Sequence, residues 1–469
     1  MARMEETAGC PGCQRLQARV AELEGMVRDL AAQVKDLMAK LQGKPPPARP
    51  AADIPPAPAK KPTGRKPGGQ PGHPPHLKRR LPPELVSNTI VYVPRACEHC
   101  QAALPRTAGA NDPEPTWHQI VELPPVLVTV TEHQGHARTC PCCGEVTRAS
   151  IPAEVLAHSV GSHLTGVIGY LTSDQGMSKR GVEELVEHVF GVPIGFGTVS
   201  NLEQEISAAL AVAHTEATDA VRDAPVKNVD ETGWKQNGKK RWLWLAATKL
   251  VAVFVIHPWR NLSALEALLG RELKGILCSD RWVVYNEWPD PFARQLCWAH
   301  LKRNWEALVE RGGTAKKIGE RFLAIQKQVF ELWHLYRGGG CTRARLIDQM
   351  LPLIEDMEDV LADGLRSRDA KTRRFCTRLD EEKWGLWTFV ESEGVEPTNN
   401  HGERVLRRAV LWRRRSFGCH SAAGCRFAER ILTVATTLRL QQRNVVKFLS
   451  ESIAAHRTGR PAPKLLPIE

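Results

Sequence analysis

Apolar residues between positions 16 and 41 recur at alternating steps of four and three, which is the spacing of a coiled-coil seam. Valine at the a positions and leucine at the d positions favours a parallel two-helix coil. The seam consists of Leu16, Val20, Leu23, Val27, Leu30, Val34, Leu37 and Leu41. We therefore predict that residues 14–42 form a coiled-coil helix that makes the chain a homodimer. An amphipathic helix packed on its own domain is the alternative.

The apolar pattern stops after this segment, and residues 43–83 are rich in proline and basic side chains. Such a composition cannot build a packed core, so we predict an extended linker. Within it, the stretch from Gly64 to His73 resembles an AT-hook, in which Arg65 and Lys66 would enter a DNA minor groove. A solvated basic linker is the alternative.

Two Cys-x-x-Cys pairs follow, Cys97 with Cys100 and Cys140 with Cys143. Each pair can bring two thiolates to one Zn²⁺ ion from a tight turn, and four thiolates leave no open coordination position. We predict a structural zinc ion in a zinc-ribbon-like module over residues 84–155. A knuckle without metal is the alternative.

Residues 156–222 have the apolar spacing of helices, interrupted at Gly191. The segments on either side of this break predict a helix-turn-helix-like DNA-binding region. If its second helix enters a major groove, the side chains that reach base edges are Ser200, Asn201 and Gln204. Two helices of an ordinary helical domain are the alternative.

From residue 225 the pattern changes to short apolar runs typical of strands. Three strands are predicted between residues 226 and 257, followed by a helix near 263–269 and strands near 275–279 and 295–298. We interpret the order as three strands, helix, strand, helix, strand, which is the order of the ribonuclease H fold. Acids at the ends of the first and fourth strands of that fold lie side by side. Here these acids are Asp230 and Asp280.

The predicted fold class is therefore multidomain α/β, with a ribonuclease H-like catalytic core formed by residues 223–312 and 396–450. Residues 313–395 have Leu, Ile and Val at helical spacing, which predicts a helical insertion in this core. Residues 451–469 are expected to form a tail.

A third acid, Glu403, follows the insertion on a predicted helix that Thr398 or Asn399 can cap. Spacing alone favours an ordinary surface pair of Glu403 with Arg407. Three carboxylates from separate elements would suit two divalent cations, because hard cations select oxygen ligands. Glu396 is the rival for the third position.

The formal charge of +12 favours a polyanionic partner, and nucleic acid is the first candidate. The sequence contains no stretch of 18 apolar residues and no apolar signal core near its first residue. We therefore expect a cytoplasmic protein that associates with the nucleoid when it binds DNA, and no membrane partner. In a reducing compartment, paired cysteines more often bind metal than form disulfides.

Four sequence motifs together resemble the insertion-sequence-66 family of DDE transposases. They are Asp230-Glu-Thr-Gly-Trp234, Ser279-Asp280, Cys297-Trp-Ala-His-Leu-Lys-Arg303 and Glu396-Pro-Thr-Asn-Asn-His-Gly-Glu403-Arg404. The resemblance extends over nearly the whole chain, because that family also has a zipper-like segment, a Gly/Pro/Arg linker and a four-cysteine region. It implies metal-binding catalytic roles for Asp230, Asp280 and Glu403.

The implied reaction is a Mg²⁺- or Mn²⁺-dependent attack on phosphodiesters at the ends of an insertion element, followed by strand transfer. The implied partners are terminal inverted repeats, target DNA and accessory transposition proteins. Two other functions remain open: a catalytically inactive zinc-containing DNA-binding regulator, and a ribonuclease H-like nuclease without strand transfer.

Basic side chains near these motifs are candidates for DNA phosphate contacts. They are His300, Lys302, Arg404, Arg407, Arg408, Arg413, Arg414 and Arg415. A solvated basic helix is the alternative for the six arginines, and a structural role is the alternative for His300. Trp234, Trp282 and Tyr285 would stack on distorted bases or, more commonly for such residues, lie in the core.

Overall fold

The computed structural model describes Gly25 and residues 80–107, 109, 112–122 and 128–467. The predicted coiled coil, apart from Gly25, lies outside the described residues, as do Arg65 and Lys66. The chain divides into two compact units, residues 1–121 and 122–469. Within the described residues, no helix combines the length and the apolar composition that crossing a membrane requires.

Short elements surround the two cysteine pairs. In the first unit, a 3-10 helix spans Pro83–Leu85, and an isolated antiparallel bridge joins Ala96 to Ala103 around the first pair. In the second unit, the antiparallel strands β1 (Ala137–Thr139) and β2 (Val146–Arg148) flank the second pair.

A helical region precedes the main sheet of the second unit. Ser178 accepts a hydrogen bond from the Gly181 N–H and so caps the helix α3 (Lys179–Phe190), whose C-cap Gly191 has a φ of 67°. Glycine suits this left-handed position because it has no Cβ. The helices are α1 (Ala153–Leu156), α2 (Ser162–Ser173), α3 (Lys179–Phe190), α4 (Phe196–Ala209) and α5 (Ala211–Asp223).

Five strands form a mixed sheet in the order β5-β4-β3-β6-β7. Strand β4 pairs antiparallel with both β3 and β5, whereas β6 runs parallel to β3 and β7 runs parallel to β6. A single α-helix, α6 (Leu262–Leu269), connects β5 to β6. The strands are β3 (Val226–Gln236), β4 (Lys239–Ala247), β5 (Ala252–His257), β6 (Ile276–Ser279) and β7 (Arg294–Leu296).

Two details of this sheet differ from the predicted pattern. Strand β3 does not end at Asp230 but continues to Gln236, because Asn237 and Gly238 form a tight hairpin with positive φ angles of 47° and 72°. Asn-Gly is the preferred pair for such a turn. Between β6 and β7, where the interpreted order has a helix, the chain forms two 3-10 helices, Val283–Glu287 and Pro291–Ala293.

Helices dominate the rest of the chain. Residues predicted as a helical insertion form α8, α9, α10, a 3-10 helix (Lys383–Leu386) and α11. Helix α14 continues past residue 450, and Leu465 in the predicted tail is fully buried. The helices are α7 (Trp298–Glu310), α8 (Gly313–Arg337), α9 (Arg343–Leu365), α10 (Ala370–Glu381), α11 (Thr388–Glu391), α12 (Asn400–Ser416), α13 (Ala422–Leu440) and α14 (Val445–Arg457).

The two faces of the sheet pack against different helices, as the alternation of strand side chains requires. Val229 and Trp244 face a core with α5 and α6. Leu243 and Leu245 face the opposite core, which contains Val405, Leu406 and Ala409 of α12. Helix α12 therefore lies on one defined face of β3 and β4.

The outer edge of the sheet is covered by side chains of α13. The N–H groups of Ala252, Phe254 and Ile256 in β5 donate to Thr437 Oγ1, Thr433 Oγ1 and Glu429 Oε1, at 3.1, 3.0 and 2.6 Å. These three acceptors lie four residues apart on one face of the helix, so the edge strand is closed to pairing with another chain.

Candidate active site

The sheet register brings Asp230 and Asp280 to neighbouring positions. Asn228 of β3 pairs with Cys278 of β6 in parallel register, and each acid lies two residues further along its own chain segment. Asp280 directly follows the end of β6, where its Oδ1 accepts the Trp282 N–H at 2.8 Å. Since the segments run in the same direction, the two acids occupy equivalent positions on adjacent strands.

Glu403 belongs to the same face of the sheet as Asp230. Asp230 pairs across β3 and β4 with Leu245, whose side chain belongs to the core that α12 covers. Glu403 lies in the first turn of α12. The helix therefore brings a third carboxylate to the side of the sheet on which Asp230 lies.

The electrostatics of Asp230 agree with this arrangement of the three acids. Burial is the largest cause that raises the pKa of its carboxyl, to about 7, and the negative charges of Glu231, Asp280 and Glu403 raise it further. Within the described residues, the hydrogen bond to its side chain is the Glu231 N–H at 2.8 Å. Arg303 Nη2 lies 3.6 Å from Glu403 Oε1, and a group of three carboxylates still carries more negative charge than this one arginine offsets, which fits a divalent cation.

Asn399 fixes the start of α12 against β3. Its buried side chain donates to the Val229 carbonyl and accepts from Asn228 Nδ2, both at 2.8 Å. Asn399 occupies the N-cap position but makes no side-chain cap, so the expected cap is wrong: the amide is used to attach the helix to the strand. A Cβ on Gly402 would lie 2.9 Å from Asn399 Oδ1, so this close approach requires glycine.

Cys297 and His300 of the Cys-Trp-Ala-His motif also face Glu403. One potential ligand atom from each of the three residues lies within 4.8 Å of the other two, so they form a group that could hold a metal ion. His300 Nδ1 lies 3.5 Å from Glu403 Oε1, and both atoms are buried without a hydrogen bond within the described structure. Burial raises the pKa of the Cys297 thiol, whose sulfur accepts the Asn399 N–H at 3.2 Å.

The rival acid Glu396 has a different environment. It forms an ion pair with Arg337 at the end of α8. Glu403, by contrast, is one of the charges that raise the pKa of Asp230. The geometry therefore favours Glu403 as the third carboxylate of the group.

The six arginines of α12 separate into two sets. Arg413 donates to Thr232 Oγ1 at 2.8 Å and to the Gly233 carbonyl, Arg408 lies 3.5 Å from Asp174, and Arg415 donates to the Gln175 carbonyl at 2.7 Å. These three attach α12 to its neighbours, so their guanidinium groups have protein partners that the sequence did not indicate. The other three are exposed and have no hydrogen bond or ion pair within the described residues: Arg404, Arg407 and Arg414.

The other side chains predicted to contact DNA differ in their exposure and in their partners within the protein. Asn201 and Gln204 are exposed on α4, whereas Ser200 is half-buried and accepts a hydrogen bond from Lys179 Nζ at 2.9 Å. Lys302 is exposed and lies 3.9 Å from Glu306. His300 is half-buried, and its Nδ1 lies 3.5 Å from Glu403 Oε1, so this nitrogen is directed at a carboxylate and not at a phosphate.

The aromatic residues near the acids are mainly structural. Trp234 and Tyr285 are buried, and Trp282 is partly buried with the Arg260 guanidinium 3.8 Å from its ring centroid. Trp234 and Tyr285 therefore lie in the core and are not placed to stack on bases.

Sequence reasoning missed the buried carboxylate of Glu231. It lies on the opposite face of β3 from Asp230, where Tyr285 donates its hydroxyl to it and Arg260 Nε donates at 2.6 Å. Burial raises the pKa of Glu231. The signal was present in the Asp230-Glu-Thr-Gly motif, since adjacent strand residues point to opposite faces.

The two cysteine turns have the same hydrogen-bonding pattern. The Cys97 N–H donates to the Ala102 carbonyl at 2.9 Å, and the Cys140 N–H donates to the Glu145 carbonyl at 2.8 Å. Backbone N–H groups of the turn lower the pKa of the first thiol in each pair, which favours a metal-binding thiolate. The zinc ion and its four-cysteine coordination stay a prediction.

Comparison with known proteins identifies two similarities. A family model described as "Transposase IS66 family" matches residues 159–426. An uncharacterized protein of Sinorhizobium fredii, y4hP, is 28% identical over 179 residues, which is 35% of this chain and 32% of that protein. This chain thus matches about a third of the length of that relative. Because the family model covers more than half of the 469 residues and includes Asp230, Asp280 and Glu403, the chain belongs to the IS66 family of transposases.

Proposed function

We propose that this chain is a DNA transposase that cleaves phosphodiester bonds at the ends of an insertion element and joins the freed strands to target DNA. The observation that carries the proposal is the parallel register of β3 and β6, which gives Asp230 and Asp280 equivalent positions, with Glu403 in the first turn of the helix that covers the same face of the sheet. The strand order, with three antiparallel strands followed by two parallel ones, supports a ribonuclease H-like core.

Asp230, Asp280 and Glu403 would hold Mg²⁺ or Mn²⁺ at this site. When bound, such ions lower the pKa of water and stabilise charge on a leaving oxygen. The side chains fit this role because they are hard oxygen ligands whose mutual repulsion a cation would relieve. With a pKa of about 7, Asp230 would give up its proton to a bound cation near neutral pH.

The remaining groups of the site would position DNA and the acids. Asn399 holds the start of α12 on β3 and thereby fixes Glu403. Arg404, Arg407 and Arg414 are free to bind phosphates next to the cleaved bond. Further parts of the proposal are a structural zinc ion on the four cysteines, contacts of the helix-turn-helix-like region with the element ends, and a homodimer through the coiled coil.

A cleavage assay tests this proposal. Purified protein is incubated with Mg²⁺ and DNA that carries the inverted repeats flanking its gene, beside Asp230→Asn, Glu403→Gln and the matched control Glu396→Gln. We expect cleaved and joined products from the parent and from Glu396→Gln, and neither product from the other two variants. Absence of cleavage by the parent would reject the proposal that the chain is a DNA-cleaving enzyme. Cleavage without joining would favour a nuclease without strand transfer.

A further inference from the structure

Two large aromatic side chains are exposed and in contact on the surface of the second unit. Phe292 and Trp384 are 60% and 51% exposed, and their ring centroids are 5.2 Å apart with an interplanar angle of 44°. Phe292 belongs to the 3-10 helix before β7, and Trp384 to the 3-10 helix after α10. Aromatic pairs of this kind are normally buried, so an exposed pair suggests a binding surface.

The backbone beneath this aromatic pair is held firmly. Asp290 Oδ1 accepts the Phe292 N–H at 2.9 Å, and Thr388 Oγ1 donates to the Phe292 and Arg294 carbonyls. A Cβ on Gly385 would lie 3.1 Å from Leu296, so the turn that carries Trp384 packs closely on β7. The two rings therefore lie on a rigid base, as a preformed binding surface requires.

Basic side chains lie next to the aromatic pair along the chain. Lys383 Nζ lies 5.5 Å from the centroid of the Trp384 ring, and it also pairs with Glu358 and Asp380 at 3.4 Å each. Helix α10, directly before it, carries Lys371, Arg374 and Arg378 at helical positions i, i+3 and i+7, and therefore on one face. All three are exposed and have no hydrogen bond or ion pair from their side chains within the described residues, so their charge is free for an anionic partner.

This surface is attached to the segment that carries Asp280. Arg281, the next residue, donates to Glu382 Oε2 at the end of α10 at 2.6 Å, and its guanidinium lies 5.4 Å from the ring centroid of Phe375. The C-terminal end of α10 is therefore linked to the segment that carries Asp280.

We propose that Phe292, Trp384 and the cationic face of α10 form a binding site for single-stranded DNA, with an unpaired base stacked on the aromatic pair. Base stacking on exposed aromatic rings combined with a cationic track is the general means of binding single strands, because every base has a π face. Duplex DNA hides these faces. The cations favour a nucleic acid over a protein as the occupant. The proposal rests on the proposed function, since the site would hold a strand that is unpaired at a cleaved element end.

Binding of a short single-stranded oligonucleotide tests the site, with 2-aminopurine as the reporter of stacking. Trp384→Ala is compared with Trp384→Phe, which keeps a ring, and with Trp259→Ala, which removes a 64% exposed tryptophan elsewhere. Loss of one stacked base corresponds to about 5- to 150-fold weaker binding. We expect this loss for Trp384→Ala and Phe292→Ala, near-parent binding for Trp384→Phe and Trp259→Ala, and unchanged binding of duplex DNA.

Two results would overturn the proposal. Equal single-strand affinity of Trp384→Ala and the parent would exclude base stacking at this pair. A change in sedimentation of the DNA-free protein in Trp384→Ala, without a change in DNA binding, would instead make the pair an interface between copies of the chain. Because the assay contains no Mg²⁺ and needs no cleavage, it can be carried out on Asp230→Asn. Failure of the catalytic proposal and failure of this site are therefore distinguishable.

Discussion

Asp230 and Glu231 are adjacent in β3, but they lie on opposite faces of the sheet and have different partners. Both are buried, and burial raises the pKa of both carboxyls. Glu231 binds Arg260 and Tyr285, whereas Asp230 has a backbone N–H and two further acids nearby. Burial and a shifted pKa are thus common to a structural carboxylate and a candidate catalytic one. The difference is that Glu231 has an arginine partner, whereas Asp230 has no ion pair with a basic side chain within the described residues.

The largest expected effect is the loss of activity in Asp230→Asn. The amide is a poorer cation ligand, and loss of several kcal/mol of transition-state stabilisation corresponds to about 1000-fold or more in rate. Its unfolding free energy should not fall, because the substitution removes repulsion from Asp280 and Glu403. Cleavage rates and urea denaturation measure the two quantities. A less stable but active variant would contradict the assignment.

The opposite result is expected for Glu231→Gln. This substitution leaves Arg260 without its charged partner at a buried position, which costs about 3 kcal/mol in unfolding free energy. The remaining folded protein should keep its DNA affinity. Urea denaturation compared with Asp230→Asn is the measurement. If Glu231→Gln were as stable as the parent and inactive, Glu231 would belong to the catalytic group and the distinction between the two neighbours would fail.

The pH dependence of cation binding sharpens the same distinction. The pKa of Asp230 is about 7 in the folded chain and 3.8 ordinarily, so the folded chain keeps a proton that the unfolded chain releases between these values. Stability from this group therefore falls as the pH rises from about 4 to 7. Because Mg²⁺ replaces the proton, the increase in Tm on adding Mg²⁺ should be larger at pH 8 than at pH 5.5. Asp230→Asn should lose this pH dependence in thermal scans, and its persistence there would assign it to another group.

The smallest expected effect per residue concerns the arginines of α12. Binding of duplex DNA weakens with salt, and the slope of log K against log salt concentration measures this dependence. Replacing Arg404, Arg407 and Arg414 by Gln should reduce the magnitude of this slope by about three, since each phosphate contact contributes about 0.9. Replacing Arg408 and Arg415 by Gln should weaken the attachment of α12. The slope should then change less per arginine removed than it does for the three free arginines. Fluorescence anisotropy at several salt concentrations measures both slopes. Equal slopes per charge would show that the bound and the free arginines do not differ in function.

Predictions from the sequence were most successful where local pattern decides structure. The mixed α/β class, the helices on either side of Gly191 and the helices between residues 313 and 395 follow from apolar spacing, because burial of one face fixes the type of element. The strand extension beyond Asp230 was missed, although Asn237-Gly238 is a local hairpin signal. Likewise, the expected cap of α12 failed because Asn399 has a better partner in β3, which is distant in sequence.

The arginines and the edge of the sheet show why the remainder could not be predicted. Nothing in the sequence distinguishes Arg413 from Arg414, yet one binds β3 and the other is exposed. Similarly, Glu429, Thr433 and Thr437 have the spacing of any helix face, and their role at β5 depends on where α13 lies. Tertiary packing determines the partners of a polar side chain. Composition therefore overestimates how many charged side chains are available to bind DNA.

The sequence by itself determined the family motifs, the basic composition that favours a polyanionic partner, and the pairing of Asp230 with Asp280 as acids of the first and fourth strands of the sheet. These depend on residue identity and on short-range periodicity. Only the tertiary structure showed where Glu396 and Glu403 lie, the first paired with Arg337 and the second in the first turn of α12, because 123 residues and several helices separate Glu403 from Asp280 along the chain. It also decided that Glu231 is neutralised and Asp230 is not, since partners such as Arg260 and Tyr285 come from elements that only folding brings to β3.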